Sequence, residues 1–125
     1  MEKKYIDRLT QNERSIIVDK GTESPFSGKY NDFYCKGMYV CRSCNLKLFN
    51  SNSKFKSDCG WPSFDEAISG TIEKQRDVAL GKIRTEIICS QCKGHLGHVF
   101  EGENYTTKNT RYCVNSLSLK FISDK

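Results

Sequence analysis

The chain carries two Cys-x-x-Cys pairs, and these constrain its fold more than any other feature. The first pair is Cys41 and Cys44, and the second is Cys89 and Cys92. Two intervening residues let both thiolates of a pair point at one tetrahedral centre, and two pairs complete a closed four-sulfur site. The sequence therefore predicts one structural Zn²⁺ ion that ties distant parts of the chain together.

Three other interpretations of these cysteines remain open. A thioredoxin-type redox pair requires a βαβ context, and no such alternation is visible in the sequence. A mixed metal site of Cys89, Cys92, His95 and His98 has a much tighter spacing than a zinc finger. The two pairs could also lie on unrelated loops. The four-cysteine zinc site is the favoured interpretation.

The composition is typical of a soluble globular protein. The chain has 125 residues, of which 37% are hydrophobic and 28% charged, and its net charge is +5 without a dense basic block. No signal-like apolar stretch begins the chain, and no run approaches the roughly 20 apolar residues of a membrane span. We therefore expect a cytoplasmic protein, where seven cysteines indicate metal binding or redox chemistry.

The pattern of turns and apolar residues predicts a mainly β fold. Thr10 and Glu13 have the form of a capping box, which predicts a helix over residues 11–20 that stops at Gly21. Short apolar segments separated by turn residues predict an antiparallel β fold within a single domain, 1–125, with a helical segment over about 1–21 and a β core over about 36–122. The predicted strands are residues 38–41, 46–49, 71–76, 84–89, 96–100, 111–115 and 117–122.

Three cysteines remain outside the two pairs, and Cys113 has the most reactive setting. On a strand, alternation places Arg111, Cys113 and Asn115 on one face, and a nearby cation lowers the pKa of a thiol. The alternative is that Cys113 is a small buried hydrophobic residue. The apolar pattern then changes phase, which predicts a turn or bulge near Ser116.

Other candidate residues lie in two motifs. Cys59 lies in a flexible, turn-prone stretch, residues 59–64, from which it could swing toward a partner. Trp61 in the same stretch could enclose a methyl group or pack in the core. In residues 94–100, His98 could exchange a proton near pH 7, although His95 and His98 could each be a hydrogen-bonded structural residue.

Taken together, six ordered motifs resemble the B-type methionine sulfoxide reductases, which act on the R epimer. The resemblance covers residues 21–121, and its motifs are residues 21–23, 25–28, 39–41, 59–64, 94–100 and 111–116. It implies two antiparallel sheets in a barrel- or sandwich-like arrangement, a short N-terminal helix, and zinc held away from the active site. Oxidised proteins would be the substrates and thioredoxin the reductant, with no nucleic acid or membrane partner.

The resemblance also implies a role for each candidate residue. Cys113 would attack the sulfoxide sulfur and become a sulfenic acid, which Cys59 would convert to a disulfide. His98 would assist proton transfer. The remaining implied roles are a methyl pocket shaped by Trp61 and Phe100 with His95 nearby, and polarisation of the reacting groups by Arg111 and Asn115.

Two features depart from this picture. Some members of the family carry an acidic residue where this chain has Gly102, between Glu101 and Glu103, so the orienting role of that acid is open. Cys35 has no assigned role and is interpreted as a spare surface thiol.

The competing hypothesis is a basic zinc-knuckle module that binds nucleic acid or protein without catalysis. It leaves Cys59, Cys113, His98 and Trp61 without a function.

Overall fold

The structure is a computed structural model that describes residues 1–124, with the side chain of residue 80 outside the description. The last residue of the predicted domain, Lys125, also lies outside the described residues. Within the described part, none of the helices has the length and apolar character needed to cross a membrane.

Two short helices precede the sheets. The first, α1 (Lys3–Ile6), was not predicted, whereas α2 (Gln11–Ile17) begins at the predicted capping box. The Glu13 amide donates to Thr10 Oγ1 at 3.2 Å, and the Thr10 amide donates to Glu13 Oε1 at 3.0 Å. The prediction that this helix runs to residue 20 is wrong, because the helix ends at Ile17 with Val18 as its C-cap, and the chain takes a left-handed φ of 60° at Lys20.

The described residues form two antiparallel sheets, which confirms the predicted mainly β fold. The smaller sheet has the order β2-β1-β9, and the larger one has the order β3-β4-β8-β7-β6-β5. The strands are β1 (Gly37–Cys41), β2 (Lys47–Asn50), β3 (Lys54–Phe55), β4 (Ser63–Phe64), β5 (Ile72–Asp77), β6 (Arg84–Cys89), β7 (His95–Glu101), β8 (Thr110–Val114) and β9 (Leu119–Ser123).

All seven predicted strands are present, with ends shifted by up to two residues. The sequence analysis missed the two-residue strands β3 and β4, because such short strands have no detectable periodicity. It was therefore wrong to treat residues 59–64 as one flexible stretch. Its last two residues pair with β8, Ser63 opposite Cys113 and Phe64 opposite Tyr112.

Aromatic side chains fill the space between the sheets. Tyr39 and Phe49 of the smaller sheet and Phe64 of the larger sheet are fully buried. The rings of Phe49 and Phe64 stack with centroids 4.3 Å apart, and Tyr39 meets Phe64 edge to face at 5.0 Å. Burial of these large apolar surfaces holds the two sheets together.

Strand β8 lies inside the larger sheet, between β4 and β7, and carries Cys113. Cys113 is paired with Ser63 of β4 on one side and with His98 of β7 on the other. After β8, a 3₁₀ turn (Ser116–Ser118) leads the chain into the smaller sheet, where β9 pairs with β1. This turn confirms the predicted change of direction near Ser116.

Candidate active site and metal centre

The four cysteines of the two pairs form one cluster. Their sulfur atoms all lie within 4.8 Å of one another, with Cys41 Sγ 3.6 Å from Cys92 Sγ and Cys44 Sγ 3.5 Å from Cys89 Sγ. In a tetrahedral Zn²⁺ site with bonds of about 2.3 Å, the sulfurs are roughly 3.8 Å apart. The donor set and its spacing therefore fit a closed structural zinc site. Because Cys41 ends β1 and Cys89 ends β6, the cluster joins the two sheets.

The same turn occurs at both pairs. The Asn45 amide donates to the Cys41 carbonyl at 2.9 Å, and the Lys93 amide donates to the Cys89 carbonyl at 2.9 Å. Asn45 and Lys93 both have a left-handed φ of 66°. This repeated geometry contradicts the interpretation of two unrelated loops. The mixed site is also contradicted, because His95 and His98 bind carboxylates elsewhere.

Most of the remaining candidate residues line a separate pocket of about 130 Å³. It brings together seven of the predicted site residues: Cys59, Trp61, His98, Phe100, Arg111, Cys113 and Asn115. The hypothesis of a binding module gives no reason for two free thiols, an imidazole and a guanidinium to converge on one pocket.

Cys59 and Cys113 line the same pocket and affect each other's ionisation. The interaction with the Cys113 thiol is the largest cause that lowers the pKa of Cys59, from an ordinary value near 9 to about 4. The same interaction and burial raise the pKa of Cys113, while Arg111 acts in the opposite direction. The two thiols therefore titrate as a coupled pair, in which Cys59 loses its proton more easily than Cys113.

The segment that carries Cys59 is held against β8. Cys59 Sγ lies 3.4 Å from the Trp61 carbonyl and 3.5 Å from Ser63 Oγ. The Val114 amide donates to the Pro62 carbonyl at 3.0 Å. Cys59 is thus half-buried in a segment attached to β8, and it lines the same pocket as Cys113.

Arg111 is held by Glu103, the residue after Gly102, where some members of the resembling family carry an acidic residue. Its Nε and Nη2 donate to the two carboxylate oxygens of Glu103 at 2.7 and 3.3 Å. The guanidinium also lies 4.6 Å from the centre of the Phe100 ring, in cation–π geometry. Glu103 therefore supplies an acidic partner for Arg111 although position 102 is glycine.

His98 is held by a carboxylate that the sequence analysis did not identify. Its Nε2 lies 2.8 Å from Asp77 Oδ2, and Arg84 Nη2 donates to the same oxygen at 3.3 Å. The hydrogen bond to His98 is the largest cause that lowers the pKa of Asp77 to about 2. Asp77 is 21 residues away in sequence, so only the pairing of β5, β6 and β7 brings it to His98.

His95 lies outside this pocket. It is almost fully buried, with Nδ1 2.7 Å from Glu86 Oε2, and Lys20 Nζ lies 3.2 Å from Glu86 Oε1. Burial lowers the pKa of His95, while Glu86 opposes that shift, so the imidazole is neutral near pH 7. His95 lines an adjoining cleft that it shares with His98.

Asn115 lines the pocket, but its amide also makes backbone contacts. Nδ2 donates to the Leu96 carbonyl at 3.2 Å, and Oδ1 accepts from the Glu23 amide at 3.1 Å. Trp61 Nε1 donates to the carbonyl of the same Glu23 at 3.0 Å. The sequence analysis gave Glu23 no role, because its partners are up to 94 residues away along the chain.

Comparisons with known proteins point to one family. Residues 9–123 match the family described as the SelR domain. A peptide methionine sulfoxide reductase MsrB of Teredinibacter turnerae is 50% identical over 119 residues, covering 94% of this chain and 87% of that protein. An MsrB of Acinetobacter baylyi is 46% identical over 125 residues, covering 99% of this chain and 89% of that protein.

A plant relative and a solved structure extend the comparison. Peptide methionine sulfoxide reductase B5 of Oryza sativa subsp. japonica is 47% identical over 114 residues, covering 90% of this chain and 82% of that protein. The crystal structure of the Mis18 "Yippee-like" domain has a TM-score of 0.58 at 14% identity, covering 72% of this chain and 98% of that chain. At that identity the Mis18 likeness concerns the fold alone.

Proposed function

Because this chain belongs to the SelR domain family of methionine sulfoxide reductases, we propose that it reduces the R epimer of methionine sulfoxide through the thiols of Cys113 and Cys59. The observation that carries the proposal is the convergence of the Cys59 and Cys113 thiols on one pocket that His98 and Arg111 also line. The substrates are oxidised proteins, in keeping with the names of the relatives.

In the first step, Cys113 attacks the sulfoxide sulfur. The proton of its thiol first passes to Cys59, and Arg111 stabilises the thiolate that is left on Cys113. This thiolate then forms the new bond to the sulfoxide sulfur. The sulfoxide oxygen is transferred to Cys113, methionine leaves, and Cys113 remains as a sulfenic acid. The sulfur of methionine is reduced by two electrons and that of Cys113 is oxidised by two.

The sulfoxide oxygen must be protonated before it becomes a good acceptor, and His98 supplies this proton. Its Nε2 is engaged by Asp77, so Nδ1 is the ring atom that exchanges a proton with the substrate. Trp61 and Phe100 provide apolar contacts for the methyl group of the substrate, and Asn115 borders the reacting atoms. We assign His95 to support of this region through its bond to Glu86.

In the second step, Cys59 attacks the sulfenic acid of Cys113. A disulfide forms, the S–O bond breaks, and the oxygen leaves as water with the proton of Cys59. This step protects Cys113 from irreversible oxidation. A dithiol protein of the thioredoxin type then reduces the disulfide by thiol exchange, which restores both thiols and oxidises the reductant.

Zinc is the metal that best matches four thiolates at this spacing, and its role here is structural because the closed site leaves no position for a substrate. We place the protein in the cytoplasm, where reducing conditions keep its cysteines out of structural disulfides.

Stereospecific turnover tests the proposed function. Purified protein with dithiothreitol should consume the R epimer of N-acetyl-methionine sulfoxide and leave the S epimer unchanged. Without reductant, one equivalent of substrate should remove two titratable thiols per chain. Consumption of the S epimer alone, or no loss of thiols, would contradict the proposal.

Two variants separate the roles of the cysteines. Cys113→Ser should abolish reduction altogether. Cys59→Ser should form one methionine per chain and then stop when thioredoxin is the reductant, because the sulfenic acid has no resolving partner. Normal recycling of Cys59→Ser on thioredoxin would show that another thiol, or direct reduction, resolves Cys113.

A further inference from the structure

We propose that Glu23 is a positioning residue that sets Trp61 and the end of β8 relative to each other, and so aligns the substrate pocket with Cys113. This inference rests on the proposed function, because the alignment affects activity only if Cys113 attacks a substrate bound in this pocket. Glu23 lies in the segment between α2 and β1, outside the regular elements, yet it contacts both Trp61 of the pocket and the backbone that follows β8.

The side chain of Glu23 fixes the exit from β8. Its Oε1 accepts the Ser116 amide at 2.6 Å, and its Oε2 accepts the Leu117 amide at 3.2 Å. These amides belong to the first turn of the 3₁₀ segment, where backbone donors otherwise lack partners. Because Ser116 follows Cys113 by only three residues, this contact fixes the end of the strand that carries the nucleophile.

The backbone of Glu23 contacts two residues that line the pocket, Asn115 and Trp61. Its amide donates to Asn115 Oδ1 at 3.1 Å, and its carbonyl accepts from Trp61 Nε1 at 3.0 Å. One residue therefore contacts the indole that we assign to substrate binding and the amide that borders Cys113.

The carboxylate has no room to relax away from these contacts. A β-carbon added at Gly28 would lie 2.6 Å from Glu23 Oε1 and 2.3 Å from Ser116 Oγ, so the backbone at Gly28 closes over both groups. Burial raises the pKa of Glu23, and the hydrogen bonds from Ser116 and Leu117 oppose that rise. A carboxylate this enclosed holds its partners in a single arrangement.

Glu13 offers a matched control for a purely structural role. Like Glu23, Glu13 is a glutamate whose carboxylate accepts a hydrogen bond from a backbone amide at the start of a helical segment, here that of Thr10 at 3.0 Å. This segment is α2, and Glu13 does not line the pocket. A contribution to stability alone would affect variants of Glu13 and Glu23 in the same way.

The test compares Glu23→Gln and Glu23→Ala with Glu13→Gln and Glu13→Ala. Glu23→Ala should lower kcat/KM for the R sulfoxide by about 100-fold, because misplacement by about 1 Å can cost that much. Glu23→Gln keeps the size and one acceptor and should recover part of this loss. The Glu13 variants should retain full kcat/KM at temperatures where they are folded.

Trp61 supplies a readout that does not depend on turnover, since it is the only tryptophan in the chain. Both Glu23 variants should shift its emission and change the alkylation rate of Cys113 in folded protein, and the Glu13 variants should change neither. If Glu23→Ala does not fold, Glu23→Gln decides the question by the same measurements.

Unchanged emission, alkylation and kcat/KM in folded Glu23→Gln, and in Glu23→Ala where it folds, would overturn the positioning role. A wild-type protein that fails to reduce any sulfoxide would instead contradict the proposed function, while emission and alkylation would still report on Glu23.

Discussion

His98 Nε2 and Asp77 Oδ2 are joined by a hydrogen bond of 2.8 Å that bridges three neighbouring strands of the larger sheet. Arg84 binds the same carboxylate, which remains ionised because the pKa of Asp77 is lowered to about 2. A fixed, ionised partner orients the imidazole and selects which of its nitrogens faces the substrate.

We predict that Asp77→Asn lowers kcat/KM for the R sulfoxide by about 10- to 100-fold, because the imidazole loses its orienting anion. His98→Ala should cost more, up to the ~10²–10⁴-fold contribution of general acid catalysis. Steady-state kinetics measure both effects. Asp7→Asn, which changes an exposed carboxylate paired with Lys3, should leave kcat/KM unchanged. Equal activity of Asp77→Asn and wild type would remove Asp77 from the mechanism.

The thiol pair predicts a pH dependence of alkylation. Because the pKa of Cys59 is lowered to about 4, its thiolate persists as the pH falls until about 4 is reached. Iodoacetamide should therefore modify Cys59 at pH 5 to 6, where an ordinary thiol is protonated. Mass spectrometry of peptides after timed labelling measures the rate at each pH.

Cys113→Ser provides the matching variant for this measurement. Because the serine hydroxyl still donates a hydrogen bond, Cys113→Ala is compared with it; the alanine variant removes the side-chain interaction that is the largest cause of the lowered pKa of Cys59. The midpoint of Cys59 alkylation should then rise toward that of a free thiol in Cys113→Ala. An identical pH profile in wild type and Cys113→Ala would show that the two thiols do not share a proton.

We predict one zinc ion per chain and a large loss of stability when it is removed. A metal held by Cys41, Cys44, Cys89 and Cys92 joins the two sheets, and a loss of even ~3 kcal/mol would lower the Tm by about 10 °C. Elemental analysis and thermal unfolding with and without a strong chelator test this. Cys44→Ser should mimic the chelator. Cys35→Ser, at an exposed thiol outside the cluster, should change neither metal content nor Tm.

We predict that position 97, beside the nucleophile Cys113, tolerates only glycine. A β-carbon at this position would lie 1.9 Å from the Cys113 carbonyl oxygen, so Gly97→Ala must push β7 and β8 apart. We expect loss of activity and a destabilisation of several kcal/mol, on the order of 3, as for other overpacked sites. Circular dichroism on heating and steady-state kinetics measure the two effects.

Gly70→Ala is the control for that substitution. Gly70 has a φ of 79° but no atom within 4 Å of an added β-carbon, so its replacement costs only the left-handed backbone term of roughly 1–2 kcal/mol. Full activity of Gly97→Ala at the stability of Gly70→Ala would show that β7 and β8 are not tightly packed at Cys113.

The features that could be predicted from the sequence are local ones. The capping box of Thr10 and Glu13 spans four residues, each Cys-x-x-Cys knuckle spans four, and both are present in the structure as expected. The alternation of Arg111 and Cys113 on β8 was also sufficient to place both in one pocket. These patterns depend on spacing within a single element.

What could not be predicted depends on strand register. Asp77 and Glu23 reach the site only through pairings with partners 21 to 94 residues away, and a carboxylate in isolation gives no signal of that kind. Strand β4 was hidden because two residues cannot display alternation. His95 and His98 stand three residues apart in sequence, yet they bind different carboxylates, Glu86 and Asp77.

The pairing of β9 with β1 has a consequence for biosynthesis. Strand β1 lies between β2 and β9, so the smaller sheet cannot be completed until residues 119–123 have left the ribosome. Strand β8, with Cys113, emerges just before them, when the aromatic core still lacks one side. The nascent chain therefore keeps part of its aromatic core and its thiols accessible until β9 has emerged, and early capture of metal by the four knuckle cysteines would leave fewer free thiols to mispair during that interval.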